Sequence, residues 1–295
     1  MKVLITGKNG QLGRDLCRLV PTGTDLYAYG HAELDIASQA DVKRVINAVR
    51  PDIIINAAAY TAVDKAESDE DNAYAINATG ASHLAAAARE ISARLIHVST
   101  DFVFDGTKSR PYQPDDDTAP LSVYGKSKQK GEELIREHHA GNSVIIRTSW
   151  VYSTNGNNFV KTMLRLMGER NEIRVVADQI GSPTWSRNLA SSVWSLTDSN
   201  IQAGTYHWAD TGIASWFDFA VAIHEEAVAI GLLKNPVVIH PITTAQYPTP
   251  AHRPHYSVLD TATIRSIPGI QSEHWRSALR KMLLEFKDQS AQPHV

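Results

Sequence analysis

The 295-residue chain predicts an α/β protein, a doubly wound parallel sheet followed by a smaller α/β region. Three observations predict it. Short apolar runs, Val3-Leu4-Ile5, Ile53-Ile54-Ile55 and Leu95-Ile96, recur with helical patterns between them. Such runs are strands buried on both faces and covered by helices. The first run leads straight into a glycine-spaced turn, Gly7-Lys8-Asn9-Gly10-Gln11-Leu12-Gly13, and then into a helical pattern. All six tryptophans lie from residue 150 on, so the second half is built differently from the first.

Taken in order, the first strand is Val3 to Ile5. The helix behind the glycine turn places Leu12, Leu16, Leu19 and Val20 on one side. Strand, glycine turn and helix together form the setting of a dinucleotide-binding turn. The glycines allow a tight turn and close approach of backbone to a pyrophosphate, which the helix N-terminus then holds. The spacing is Gly-x-x-Gly-x-x-Gly. Asp25 to Tyr29 is a second strand. It ends in Gly30-His31-Ala32, with no acid directly after it to grip a ribose 2′-hydroxyl and no arginine to favour a 2′-phosphate. Either NADPH or NADH is therefore allowed. Ser38 caps a helix running to Arg50. Pro51-Asp52 breaks to the third strand, Ile53 to Ile55, and Asn56-Ala57-Ala58-Ala59 offers small side chains against which a flat cofactor can lie. Tyr60 to Asp64 reads as a loop, and an Ala-rich helix containing Asn77 runs from Ser68 towards Glu90. Arg94 to Val98 is the fourth strand, leading into Ser99-Thr100-Asp101-Phe102-Val103-Phe104.

Strands alternating with helices give a Rossmann-type sheet with right-handed crossovers and a ligand beyond the C-terminal strand ends. Thr100 stands at such an end. So does the loop before Tyr124. Tyr124 and Lys128 are four residues apart and meet on one face of the helix expected over Lys126 to Glu137. A phenol holds its proton at neutral pH, and a neighbouring cation is expected to lower its pKa and make it a tuned general acid. That spacing alone also describes many surface pairs. It gains weight because hydroxyl, phenol and lysine converge on the mouth where the glycine turn places the cofactor.

Net charge is −3 and pI about 6.5, which recommends neither nucleic acid nor an anionic membrane as a partner. Cys17 is the single cysteine, so no intramolecular disulfide forms and a reducing compartment fits. No apolar run reaches the roughly 18 residues of a membrane span. The N-terminus reads as a strand rather than a signal peptide, and cytoplasmic location is expected. The last residues, Gln289 to Val295, read as a frayed tail.

Beyond the fifth strand, Ser143 to Ile146, come Arg147-Thr148-Ser149-Trp150. Trp150 follows a strand end on the ligand side, where an indole can stack on a sugar or base; Trp194 and Trp275 read as core. A helix spans Asn157 to Met167, another Trp216 to Gly231, and a last one Trp275 to Lys287. Residues 1–147 are expected to form the dinucleotide-binding domain, with segments near 172–215 returning to it. Residues 148–295 form the substrate-binding region. Pro248 to Pro254 is a stiff loop whose Arg253 offers a planar fork suited to a phosphate. Twelve histidines form no HExxH or cysteine-containing set.

The Gly7/Gly10/Gly13 turn, Asn56-Ala57-Ala58-Ala59, Ser99 to Phe104 and Tyr124-x-x-x-Lys128 resemble the extended short-chain dehydrogenase/reductase pattern. Finer wording resembles its dTDP-4-dehydrorhamnose reductase branch: Ala59 to Glu67, Arg147 to Tyr152, Gly156-Asn157-Asn158-Phe159, Asp178 to Thr184, and Tyr247-Pro248-Thr249-Pro250-Ala251-x-Arg253-Pro254. These blocks span roughly residues 3 to 260. The resemblance implies reduction of the C4 ketone of a dTDP-6-deoxyhexose by NADPH or NADH. Catalysis falls to Tyr124, Lys128 and Thr100. The cofactor is held by Gly7, Gly10, Gln11, Leu12, Gly13, Asp35, Ile36, Ala59, Tyr60, Thr61, Val98, Tyr124 and Lys128. The dTDP-sugar meets Thr100, Asp101, Val63, Trp150 and Arg253. A monomer or homodimer is implied. Some relatives hold magnesium between subunits through carboxylates. Asp15 suits such a role, but Arg187 and Asn188 stand where a second acid is wanted, so no metal is expected. Rival readings are an epimerase or dehydratase of the extended family, or a non-catalytic binding subunit. A dehydratase is expected to carry Glu after Thr100-Asp101, where this chain has Phe102. Intact Thr100, Tyr124 and Lys128 oppose the non-catalytic reading.

Overall fold

A computed structural model describes residues 1–199 and 201–291. Its centre is a six-stranded, all-parallel sheet made of β1 (Lys2–Thr6), β2 (Asp25–Tyr29), β3 (Ile53–Asn56), β4 (Arg94–Thr100), β5 (Ser143–Thr148) and, far along the chain, Gly204–His207. Across the sheet the order is Gly204–His207, β5, β4, β3, β1, β2. The chain runs outward from β1 to β2 and then returns to the other side of β1, so the order reverses between β1 and β3. A ligand crevice belongs at that reversal, beyond the C-terminal strand ends.

The sequence explains the layers. Alternate residues of a strand face opposite sides. Val3 and Ile5 pack with Leu12 and Leu16 of α1 (Gln11–Arg18), and with Leu189, Val193 and Trp194 of the helix Ser186–Thr197. Leu4 and Ile54 face the other way, onto α2 (Gln39–Val49), α3 (Gly80–Glu90) and Ile135 of α4 (Val123–His139). Ser38 caps α2 by accepting from the Asp41 N–H, as expected. A third core lies outside the sheet. It gathers Tyr152, α5 (Phe159–Glu169), Phe219 and Ile223 of the helix Trp216–Ala229, and Leu279 and Met282 of the helix Trp275–Ala291. A two-stranded parallel ladder, Glu172–Val176 with Val238–Ile242, covers part of it. Ser186–Thr197 packs on the main sheet and Gly204–His207 forms one of its edges, whereas Glu172–Val176 lies outside it. Trp194 and Trp275 are core residues, both buried.

Three local expectations are corrected. Residues 60–64 are not wholly loop, because Val63–Ala66 makes one helical turn. The helix expected from Ser68 to Glu90 is interrupted. It runs Glu70–Tyr74, widens into a π-helical turn at Ala75–Thr79, and resumes as α3. The frayed end expected from Gln289 is helical to Ala291; residues 292–295 lie outside those described. Among the described residues no helix is long and apolar enough to cross a membrane.

Candidate active site

The glycine turn is set by close packing. Gly7 has φ +72°, and a Cβ there would lie 2.7 Å from the Ala58 nitrogen. A Cβ on Gly13 would come within 2.1 Å of the Gly7 carbonyl. Only glycine fits either place, so β1, the turn and the segment after β3 are held in contact. Gly10 is the N-cap of α1 and supplies no side-chain acceptor, which leaves the first-turn N–H groups of α1 open to an anion. Gln11 is tied across to the substrate side, since its Oε1 accepts from Asn158 Nδ2 at 2.9 Å.

Asp35 and Ile36 follow β2, between it and α2. The Asp35 carboxylate accepts from its own Ala37 N–H at 3.0 Å, and Ile36 is buried against Gly80. At the end of β2 sits an acid that the search directly after the strand missed. Glu33 folds back to accept the Gly30 N–H at 2.8 Å and pairs with Lys8 at 2.6 Å. Its offset of three residues, closed by a turn, hid it.

Ala59, Tyr60 and Thr61 follow β3. Tyr60 is pinned by Asn77: its N–H donates to Asn77 Oδ1 at 2.9 Å, and its carbonyl accepts from Asn77 Nδ2 at 3.1 Å. Asn77 also donates to Ser127 Oγ of α4 at 3.0 Å. The π-helical turn carries Asn77, so the widened turn joins the loop after β3 to α4. Such turns often mark functional sites.

Tyr124 lies in the first turn of α4, which Ser122 caps from its side chain onto Gly125 N. Gly125 permits the approach of α4 to the end of β4, where a Cβ would meet the Phe102 carbonyl at 2.3 Å. Phe102 stands edge-on to the Tyr124 ring at 5.6 Å between centroids. Tyr60 and Val63 complete the apolar surround of Tyr124. Burial pushes the Tyr124 phenol up to about 12; a hydrogen bond with Thr100 opposes this and the nearby Asp101 adds to it. The expectation that Lys128 lowers the phenol's pKa is thereby corrected. Desolvation of the phenolate outweighs the neighbour, and the lysine is engaged elsewhere. Lys128 Nζ donates to the Val98 carbonyl at 2.7 Å and lies 3.2 Å from His97 Nε2. Burial brings its own pKa down to about 8, partly offset by Glu132.

Thr100 closes β4. Its hydroxyl donates to Asp101 Oδ1 at 3.1 Å and accepts from the Phe102 N–H at 3.2 Å. Asp101 is fully buried and raised to about 6, chiefly by desolvation, opposed by the nearby Ser257 and Thr100 hydroxyls. Its Oδ2 has no protein partner. A buried carboxylate oxygen left unpaired marks a place for a ligand donor. Ser257 comes from the far end of the chain, and nothing local in the sequence marked it.

Behind this edge, Glu132 and Arg147 form a buried pair at 2.7 Å, with Ser99 Oγ donating to Glu132 at 2.6 Å. Arg147 also donates to the Pro114 carbonyl at 3.2 Å. It thus anchors the loop leading into α4.

Trp150 has φ +46° and its ring stacks on Trp216 at 3.5 Å, nearly parallel. The indole expected to offer a face to a ligand therefore has one face covered by protein. Arg253 is likewise engaged, bidentate to Asp64 at 2.7 and 3.0 Å with Thr249 Oγ1 at 2.6 Å. Asp15 accepts from Ser153 and Ser186, while Arg18 and Arg187 both pair with Glu285. Among the described residues no three His, Cys, Asp or Glu side chains are grouped to hold a metal.

Known proteins resemble this chain over nearly its whole length. Residues 1–288 match the model of the RmlD substrate binding domain family. A dTDP-4-dehydrorhamnose reductase of Aggregatibacter actinomycetemcomitans is 46% identical over 95% of this chain and 98% of that protein. The crystal structure of the dTDP-4-dehydrorhamnose reductase of Bacillus anthracis in complex with NADP has a TM-score of 0.90 at 41% identity, covering 96% of this chain and 99% of that one. A Clostridium acetobutylicum structure of a dTDP-4-dehydrorhamnose reductase has a TM-score of 0.91 at 40% identity, covering 97% and 100%. UDP-glucose 4-epimerase of Thermus thermophilus, at 18% identity and a TM-score of 0.82, shares the fold. The open glycine turn, the strand-end Thr100 and the buried Tyr124–Lys128 pair thus sit in a chain that belongs to the dTDP-4-dehydrorhamnose reductase family of extended short-chain dehydrogenases/reductases.

Proposed function

We propose that the chain reduces the C4 ketone of dTDP-4-dehydro-6-deoxy-L-mannose to dTDP-L-rhamnose with NADPH or NADH. The observation that carries this reading is the convergence of buried Tyr124, Thr100 and the unpaired Asp101 Oδ2 at one sheet edge, beside the open glycine turn. When bound, the reduced nicotinamide supplies the hydride. Tyr124 donates its proton to the forming C4 alkoxide. The raised phenol pKa keeps that proton in place across the physiological range. Thr100 orients the phenol and, turning its one hydroxyl proton from Asp101 Oδ1, donates to the ketone oxygen. Asp101 Oδ2 accepts from a sugar hydroxyl, which gives a buried carboxylate the partner it lacks. Lys128 reaches the cofactor ribose.

The first-turn N–H groups of Gln11 and Leu12, with Gly10 and shaped by Gly7 and Gly13, hold the pyrophosphate. Asp35 and Ile36 lie at the adenosine end, and Ala59, Tyr60, Thr61 and Val98 line the cofactor. Val63, Trp150 and Arg253 bound the sugar nucleotide; Arg253 shares its fork between Asp64 and a diphosphate oxygen. We place the reaction in the cytoplasm, in a monomer or homodimer.

The test is loss of nicotinamide absorbance on adding dTDP-4-keto-6-deoxy-L-mannose, run with each cofactor. Stoichiometric oxidation with formation of dTDP-L-rhamnose is expected. No oxidation with either cofactor would return the chain to the non-catalytic reading.

A further inference from the structure

Behind Lys128 runs a row of buried polar side chains that the mechanism above does not use. Thr6 Oγ1 donates to Asn56 Oδ1 at 2.7 Å, Asn56 Nδ2 meets His97 Nδ1 at 2.9 Å, and His97 Nε2 lies 3.2 Å from Lys128 Nζ. Strand register creates the row: Thr6 pairs with Asn56 and Asn56 with His97 across β1, β3 and β4. All four side chains are buried.

The direction of these bonds can be read because the backbone fixes one of them. The Ala58 N–H lies 3.1 Å from Asn56 Oδ1. An N–H can only donate, so the oxygen of the Asn56 amide faces Ala58 and Thr6, and its NH2 faces His97. His97 Nδ1 therefore accepts and carries no proton. An imidazole bare at Nδ1 is neutral, and burial, which holds the His97 pKa well below the usual imidazole range, agrees. The ring's one proton must sit on Nε2, pointing at Lys128. An ammonium has three donors and no lone pair. Lys128 already gives one N–H to Val98. The His97 Nε2–H finds an acceptor only if Nζ carries a lone pair.

We propose that His97 is a positioning residue that holds Lys128 as a neutral amine in the cofactor-free protein at alkaline pH, at the end of a one-way chain of donors from Thr6 through Asn56 and His97 to Lys128 and on to the Val98 carbonyl. The groups facing Lys128 are consistent with this. From its own helix come Tyr124 and Glu132, and the Glu132 carboxylate is already held by Arg147 of β5 and Ser99 of β4. Asp101 stands beyond Tyr124. Glu132 favours the ammonium and burial disfavours it, and burial is the larger effect.

For catalysis the inference rests on the reductase reading. To donate to a cofactor hydroxyl as an ammonium, Nζ must leave His97 and take one proton from solvent, R–NH2 plus H⁺ giving R–NH3⁺. Cofactor binding is then coupled to proton uptake above the lysine's pKa.

The first measurement uses the full chain without ligand, labelled with ¹⁵N-histidine. Long-range ¹H–¹⁵N spectra at pH 9 should show His97 neutral, protonated at Nε2 and bare at Nδ1. A His97→Gln variant assigns the signal by its loss, and a Lys128→Met variant assigns it by its shift. An Nδ1–H ring or an imidazolium overturns the proposal. The second is titration calorimetry with NADH, which has no 2′-phosphate to titrate, in two buffers of different ionisation heat at pH 9. Uptake approaching one proton is expected, reduced in His97→Gln because the glutamine can turn its oxygen to an ammonium. Absence of uptake in the wild type overturns the coupling. The expected tautomer in a chain that never oxidises NADH or NADPH with the keto sugar would sink the reductase reading and leave the His97 row standing.

Discussion

Replacing Tyr124 by Phe removes one oxygen and keeps the ring, so it isolates proton donation from packing. The ring stays against Phe102, Val63 and Tyr60. The lost hydrogen bond with Thr100 costs stability about 1 kcal/mol. Cofactor binding should be nearly unchanged, since Lys128 is held by Val98 and His97 rather than by the phenol. The rate should not survive. A positioned general acid contributes about 10²–10⁴-fold, or about 3–5 kcal/mol of barrier. The assay is nicotinamide absorbance with saturating dTDP-4-keto sugar, beside NADPH affinity from nucleotide fluorescence. A kcat within tenfold of wild type would refute the acid assignment. The sign of the pH dependence is a second check. The donor must be protonated, and Tyr124 stays so until about pH 12. A wild-type rate that falls on the alkaline side near pH 8 therefore reports Lys128, not Tyr124.

Four further outcomes are expected. Lys128→Met, which fills the buried space without a polar group, should weaken NADH binding and lower kcat together; unchanged affinity would remove the ribose contact. Asp101→Asn should raise KM for the dTDP-sugar, yet raise thermal stability at pH 7.5. The Asp101 pKa is raised to about 6 in the folded protein. Its contribution is therefore fully present below the unfolded value near 4 and is lost as pH rises through 6, on the order of 3 kcal/mol. A melting temperature that falls instead, measured by scanning calorimetry, would contradict this. Glu132→Ala should destabilise by about 3–5 kcal/mol in urea, because it strands Arg147 as a buried unpaired charge; a loss below about 1 kcal/mol would show the pair to be dispensable. Glu33→Ala should release Lys8 and lower KM for NADPH several-fold relative to NADH. No change in that ratio would place the ribose 2′ position elsewhere.

Five of the six parallel strands and the glycine turn were legible because both are local signals; the edge strand Gly204–His207 carries no such apolar run. Apolar runs such as Ile53-Ile54-Ile55 are strands wherever both faces are covered, and glycines at positions 7, 10 and 13 state a backbone requirement that few other residues meet. Tyr124 and Lys128 were legible as a pair on one helix face. What hid in the sequence was non-local. Asn77 looked like one polar residue in an alanine helix until the π-helical turn aimed it at Tyr60 and Ser127. Ser257 reaches Asp101 across more than half the chain. Glu33 sits at the end of β2 only because a turn folds it back. Trp150 and Arg253 were singled out by residue type, but type says nothing about whether Trp216 or Asp64 already occupies the face or fork.

By itself the sequence determined the order of elements, the cofactor turn, the acid–lysine pair and the family, because periodicity, glycine spacing and contiguous motifs are written along the chain. Only the tertiary structure decided the protonation landscape. Desolvation and hydrogen-bond direction depend on what surrounds a group in space. That is why a lysine one helical turn from Tyr124 does not lower its pKa, and why His97, an unremarked strand residue, faces the Lys128 nitrogen.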